Sequence, residues 1–201
     1  MTDLSSDWKK QLRKEKIAQR RSIGAEERFS ADQKICETIL AMPGIANFDT
    51  LAAFVTDGSE PDLRPVMTWA LEQGKTLCLP RFLDHDHYEI VKVENLCFSA
   101  EKWGIPEPGP EAEIVPAEQL RNALWLVPGV AFDKHGGRLG RGKGIYDRIL
   151  SLGTGLTIGV FYECQKTDRL PVEAHDQFMD LIVTEAGIYD DFSANNPIGS
   201  F

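Results

Sequence analysis

The residues best equipped for chemistry lie in one run, Asp133-Lys134-His135-Gly136-Gly137-Arg138-Leu139-Gly140-Arg141-Gly142-Lys143-Gly144-Ile145-Tyr146-Asp147-Arg148. Five glycines fall within the nine residues 136–144, and five lysines or arginines lie between 134 and 148. Glycines let the backbone turn so that successive N–H groups aim at one ligand. A helix opening after such a loop adds the partial positive charge of its N-terminus. Lys143 and the arginines add full charges, so the chemistry is phosphate binding. Two familiar patterns come close and fail. Gly137 to Lys143 has Walker spacing, but Gly144 stands where a P-loop needs Ser or Thr for magnesium. Gly140-x-Gly142-x-Gly144 is not the dinucleotide pattern. The competing reading is a glycine-rich solvent loop. The coincidence of glycines, cations and a helix start favours the cradle.

Other candidates are weaker by local evidence. Lys9, Arg13, Lys16 and Arg20 fall on one face of a helix expected over 7–22, a pattern that by itself describes a solvated charged face. Glu60 follows a short apolar run in a tight turn and reads locally as a helix-start acid. Asp147 reads as a first-turn aspartate complementing a helix dipole, and Asp176 as a turn residue near a strand. Trp103, in the proline-rich stretch 100–118, either stacks on an aromatic ring or plugs its loop. Tyr146 either lines a pocket or anchors its helix. Cys36, Cys78, Cys97 and Cys164 form no C-x-x-C pair, and free thiols in a reducing cytosol are expected, with Cys36 and Cys78 in the core. His85 and His87 read as a solvated turn rather than a metal site.

These residues need a scaffold, and the chain is long enough for one. Its 201 residues fit a single domain with a sizeable core. The net charge of −9 argues against general binding to nucleic acid or anionic membranes. The charge is uneven: residues 1–28 carry eight basic and five acidic side chains, a sum of +3, so the remainder carries −12. No apolar run is long enough to span a bilayer and the start lacks a signal-peptide core, so a cytoplasmic protein is expected. Helices are expected over 7–22 and 25–41, and from a Ser59 cap with Pro61 in the first turn to Gln73. Strands are expected at 51–56, 75–80, 88–93, 124–132, 156–162 and 179–184, with a short helix at about 144–151 and an irregular tail over 189–201. Apolar strands alternating with helices imply an α/β fold, a mostly parallel sheet flanked by helices on both faces and Rossmann-like in plan.

At these residues the chain resembles the 5-formyltetrahydrofolate cyclo-ligase family. The resemblance rests on Val127-Pro128-Gly129-Val130-Ala131-Phe132-Asp133 followed by Gly137-Arg138-Leu139-Gly140-Arg141-Gly142-Lys143-Gly144-Ile145-Tyr146-Asp147-Arg148, with Ile145 in place of one family tyrosine. It extends over roughly 8–188, through Lys9-Lys10-Gln11-Leu12-Arg13, Phe54-Val55, Glu60, Leu79-Pro80-Arg81, Trp103-Gly104-Ile105-Pro106-Glu107-Pro108, Gln165, Leu170-Pro171 and His175-Asp176. The resemblance implies the sheet architecture shared with sugar-phosphate isomerases and CoA-transferases. It implies ATP-dependent closure of 5-formyltetrahydrofolate to 5,10-methenyltetrahydrofolate, through phosphorylation of the formyl oxygen. It assigns ATP to Lys9, Lys10, Gln11, Leu12, Arg13 and to 138–146, that is Arg138, Leu139, Gly140, Arg141, Gly142, Lys143, Gly144, Ile145 and Tyr146. It assigns the folate to Val55, Glu60, Trp103 and 141–145, Mg2+ to Asp147 and Asp176, and the chemical step to Arg141, Lys143 and Tyr146. Lys16 and Arg20 remain solvent or pairing residues. A monomer is expected, acting on small molecules and not on nucleic acid or membrane. A sugar-phosphate isomerase or CoA-transferase would leave the glycine loop without a purpose. A non-catalytic nucleotide- or folate-binding module would not need both the ATP segment and Glu60.

Overall fold

The computed structural model describes residues 4–84, 87–98, 100–102, 104–151, 155–171 and 176–190. In chain order the elements are α1 (Leu4–Arg21), α2 (Ala25–Leu40), β1 (Thr50–Ala52), α3 (Arg64–Glu72), β2 (Thr76–Phe82), β3 (Tyr88–Val93), β4 (Ala100–Lys102), β5 (Ile105–Glu107), α4 (Ala117–Leu120), β6 (Leu124–Val127), β7 (Ala131–Asp133), β8 (Arg138–Leu139), α5 (Ile145–Ser151), β9 (Thr157–Val160), β10 (Lys166–Thr167), β11 (Leu181–Thr184) and β12 (Gly187–Tyr189). The main sheet has seven strands in the order β12-β11-β9-β6-β1-β2-β3. From β11 to β2 every pairing is parallel, and the edge strands β12 and β3 are antiparallel to their neighbours. From β1 the chain builds outward through β2 and β3, then returns to place β6 on the other side of β1 and builds the opposite way. The β1–β6 seam is therefore the topological switch point, where the crevice beyond the strands' C-terminal ends receives ligands in sheets of this kind.

Alternate residues of the central strands feed opposite cores, as the two-residue period requires. Leu51, Leu77, Leu79, Leu124, Leu126, Ile158, Val160 and Val183 pack with Ile35, Ile39, Val66, Met67 and Ala70 of α2 and α3. Ala52, Cys78, Trp125, Val127 and Ile182 face the other way, against Leu120, Ile149 and Leu150 of α4 and α5. Helices thus cover both faces. Cys36 and Cys78 are core residues, and burial pushes each thiol up to about 12. All four cysteines are free thiols.

Several elements differ from the sequence expectation for local physical reasons. The run 124–132 is not one strand. Pro128 lacks an N–H to continue a ladder, and a Cβ on Gly129 would lie 2.7 Å from the Phe161 ring. The chain leaves the main sheet there, and β7 joins a small sheet ordered β10-β7-β8. α3 begins at Arg64 with Pro65 in its first turn, and not at a Ser59 cap. The Ser59 hydroxyl and amide instead bond Asp57 Oδ1 at 2.8 and 2.9 Å. The stretch 51–56 is paired as strand only to Ala52. Part of the proline-rich stretch forms the β4–β5 hairpin. The expected tail starts too early, since Gly187–Tyr189 pairs with β11. Residues 191–201 lie outside the described residues, as does His85, whereas His87 is exposed.

The start of the glycine loop is fixed by one buried acid. Asp133 is 1% exposed; its Oδ1 accepts the amides of His135 (2.9 Å) and Gly137 (3.0 Å), and its Oδ2 accepts that of Leu170 (2.8 Å). A Cβ on Gly137 would lie 2.9 Å from that carboxylate, so glycine is required for the closure. Gln165, fully buried, donates to Gly129 O and Val130 O at 2.9 and 3.0 Å and bridges the strand break. Asp133→Ala leaves three amides without their acceptor and is expected to cost about 3 kcal/mol or more of unfolding free energy, at about 1–3 kcal/mol per orphaned buried donor. Urea unfolding followed by circular dichroism measures it.

Candidate active site

The loops that leave β1 and β6 at the switch point form a cleft of about 960 Å³. Phe54, Val55, Asp57 and Glu60 enter it after β1; Pro128 and Gly129 enter after β6; the glycine loop and Tyr146 and Asp147 of α5 form a third side. α1 crosses this end of the sheet and contributes Lys9, Lys10 and Arg13. The basic N-terminal helix and the glycine loop therefore meet in space. Arg13 Nε donates to Gly140 O at 2.8 Å. Gly142 lies beside the same guanidinium, with φ +98° and room for a Cβ only 3.3 Å from Arg13 Cζ. The positive φ is what favours glycine at that residue. Lys9 Nζ lies 3.5 Å from Asp176 Oδ2. Lys143 lines the cleft, and its carbonyl accepts Arg148 at 2.8 Å.

Arg138 and Asp147 form a pair inside the cleft. Arg138 is 8% exposed and donates to the Asp147 carboxylate and, at 3.4 Å, to Pro128 O. Its guanidinium carbon lies 5.8 Å from the Tyr146 ring centroid, a cation–π contact. Burial, and secondly the Glu60 charge, push the Tyr146 phenol above its ordinary value. Tyr146 is therefore a neutral hydrogen-bond donor at physiological pH.

The deepest charges gather around Glu60. Arg141 of the glycine loop donates to Asp57 and, at 3.2 Å, to Glu60 Oε1. Arg20 reaches the same two carboxylates from α1, each at 3.5 Å, and donates to Ser59 Oγ at 2.8 Å and Gly129 O at 3.2 Å. Burial alone would raise the Asp57 carboxyl. The Ser59 hydroxyl and amide and the Arg141 guanidinium outweigh it and hold the group at about 2. Glu60 shifts the other way, raised by burial and by the Asp57 charge despite both arginines.

Of the residues singled out in the sequence, Lys9, Lys10, Arg13, Val55, Glu60, Asp147, Asp176 and all of 138–146 line this one cleft. Two of the expected ATP residues do not. Leu12 packs with Ala131, Leu139 and Leu170 beneath the loop, and Gln11 points to solvent, both set by the helical period. Trp103 lies outside the described residues. Lys16 and Arg20 are not solvated. Lys16 donates to Cys164 O and Lys166 O at 3.0 and 2.7 Å, and Arg20 is 1% exposed. Arg20 holds as a pairing residue. Sequence reasoning missed Asp57, Tyr88, Lys102 and the cleft-facing place of Glu107, which form the wall opposite the loop. Only Asp57, in the turn Asp57-Gly58-Ser59-Glu60, carried a local signal. Phe82 packs edge-on against Tyr88 with centroids 5.5 Å apart, and Lys102 Nζ sits 4.3 Å from the Phe82 centroid. Among the described residues no three or more His, Cys, Asp or Glu side chains cluster as a metal cage, and no helix is long and apolar enough to cross a membrane.

The cleft thus joins a cationic glycine loop to a buried carboxylate corner. The sequence profile of the 5-formyltetrahydrofolate cyclo-ligase family matches residues 5–185. The mouse 5-formyltetrahydrofolate cyclo-ligase is 27% identical over 190 residues, covering 88% of this chain and 93% of its own. The Mycolicibacterium smegmatis enzyme of the same name is 35% identical over 144 residues, covering 67% and 73%. The structure of Aquifex aeolicus 5,10-methenyltetrahydrofolate synthetase superposes with a TM-score of 0.81 at 33% identity, covering 96% of each chain. That of the Mycoplasma pneumoniae synthetase gives 0.71 at 26% identity, covering 88% of this chain and 98% of its own. With the family profile spanning nearly the whole chain and the cleft built from the residues that carry the resemblance, this protein belongs to the 5-formyltetrahydrofolate cyclo-ligase family.

Proposed function

We propose that the cleft closes the ring of 5-formyltetrahydrofolate with ATP, giving 5,10-methenyltetrahydrofolate, ADP and phosphate. The observation that carries this reading is the meeting of a cationic glycine loop with a buried carboxylate corner in one cavity. A formyl amide is a poor electrophile and its oxygen a poor leaving group. Transfer of the γ-phosphoryl group to that oxygen corrects both, and the folate amine then attacks the activated carbon. The protein's part is positioning and charge stabilisation. Lys9, Lys10, Arg13 and the loop amides hold the triphosphate. Arg141 and Lys143 neutralise charge on the transferring group, and the neutral phenol of Tyr146 donates a hydrogen bond to an oxygen. Glu60 accepts N–H groups of the pterin beside Val55; the resemblance adds Trp103, which lies outside the described residues.

Magnesium fits the acids present. Asp147 and Asp176 both line the cleft without a larger cage, and magnesium takes one or two carboxylates together with water and phosphate oxygens. These two side chains would hold the ion, each now facing a cation, Arg138 or Lys9. When bound, it neutralises phosphate charge. Action as a monomer is part of the same proposal. The free thiols and net charge of −9 support a cytoplasmic enzyme of small molecules without a nucleic-acid partner.

Incubation with 5-formyltetrahydrofolate and MgATP is expected to give the near-ultraviolet absorbance of the methenyl product, and folded protein without an ATP-dependent signal rules the reading out. Lys143→Ala and Asp147→Ala are each expected to lower turnover more than tenfold, about 1.4 kcal/mol of barrier or more. The carboxylate corner also sets an acid limit on stability. Asp57 titrates at about 2 against an ordinary 3.8. Its folded form favours ionisation, so its stabilisation is complete above about pH 4 and is lost as pH falls toward 2. Glu60, raised, contributes with the opposite sign. Urea midpoints measured from pH 5 to 2 are expected to fall less steeply in Asp57→Asn than in the unmodified protein.

A further inference from the structure

We infer that Arg20 is the positioning residue of the folate side of the cleft: from beneath, it favours the ionised form of Glu60, which leaves Arg141 able to turn from Glu60 to the phosphates of ATP. What Glu60 recognises rests on the proposed function; its ionisation does not.

The argument starts from two carboxylates three residues apart. The side chains of Asp57 and Glu60 are 12% and 9% exposed. Two acids in contact in so dry a place do not both stay ionised unless cations face them. The groups facing Glu60 are Asp57 of its own turn, Arg20 of α1, Arg141 of the glycine loop and Tyr146 of α5. The two cations are built differently. The Arg20 side chain is 1% exposed and is also bonded to Ser59 Oγ and Gly129 O, which fixes it behind the Glu60 and Gly129 lining of the cleft. Among the described residues its Nε–H finds no acceptor, so it was buried at a cost and not for its own satisfaction. The Arg141 side chain is 49% exposed and sits on the phosphate loop. A triphosphate on that loop competes with the carboxylates for Arg141. When Arg141 turns, Glu60 keeps one counter-ion, and that is Arg20. An ionised Glu60 accepts two ring N–H groups; a protonated one loses half that capacity and clashes with a ring donor.

The test reads Glu60 directly. Protein carrying 13C-labelled glutamate carboxyls is titrated by NMR, with Glu60→Gln assigning the signal. Arg20→Met is expected to raise the Glu60 midpoint by about one pH unit or more. In the same variant the acid limb of kcat/KM for 5-formyltetrahydrofolate moves to higher pH, while KM for ATP changes less than about threefold. Arg20→Lys keeps the charge but lacks the fork that reaches both carboxylates, Ser59 and Gly129 together. It is expected to give a smaller shift of the same sign, and it decides the question if Arg20→Met does not fold. A folded Arg20 variant with an unmoved Glu60 midpoint, or with the two KM values rising together, overturns the inference. Unmodified protein that fails to cyclise 5-formyltetrahydrofolate overturns the proposed function instead, and the NMR titration still decides the role of Arg20.

Discussion

Backbone carbonyls at the broken end of a parallel sheet have to be satisfied, and much of this protein's construction follows from how that is done. Where β6 stops at Pro128 and the chain jumps to the small sheet, the carbonyls of Gly129, Gly140, Cys164 and Lys166 accept side-chain donors. The basic face of α1 supplies the donors. Arg13, Lys16 and Arg20, at nearly one turn or two turns apart, reach Gly140, the pair Cys164 and Lys166, and Gly129. The helix is therefore attached largely by cation-to-carbonyl bonds, with Leu12 its buried apolar contact under the loop. Charge repeated at helical spacing, which elsewhere means a solvated face, is here the adhesive.

That attachment also explains the division of labour among the cations. Those deepest in the fold, Lys9, Lys16, Arg20 and Arg138, are bonded to carbonyls or carboxylates of the protein. Lys10, Arg141 and Lys143 stay at the surface of the cleft. The acids are distributed in parallel. Asp133 is spent on amides that shape the loop, whereas Asp57 and Glu60 share two arginines and Asp147 and Asp176 each face one cation.

The glycine loop was legible from residues alone because glycines, cations and a helix start coincide in sixteen consecutive positions, and the family resemblance extended the reading to Glu60 and the N-terminal helix. The long helices and the alternating strand cores were legible because their periods are local. The opposite wall was not. Tyr88 and Lys102 join the cleft through β3 and the β4–β5 hairpin, and nothing in their immediate sequence says which sheet edge will face the loop. The burial of Arg20 and Lys16 was hidden for the same reason, since their partners lie 37 to 150 residues away. Ser59 shows the converse error. Its capping pattern with Pro61 was real as sequence, but Asp57 offered nearer bonds and Arg20 drew the turn into the site.

The long reach of α1 spans most of the sequence. In chain order α1 comes before the other described elements, yet Arg13 and Lys16 find their carbonyl partners 127 to 150 residues further on. Arg20 has nearer partners as well, Asp57 and Ser59. A chain cut before residue 164 lacks both carbonyls that hold Lys16, so the seat of α1 against the cleft depends on residues from both halves of the sequence.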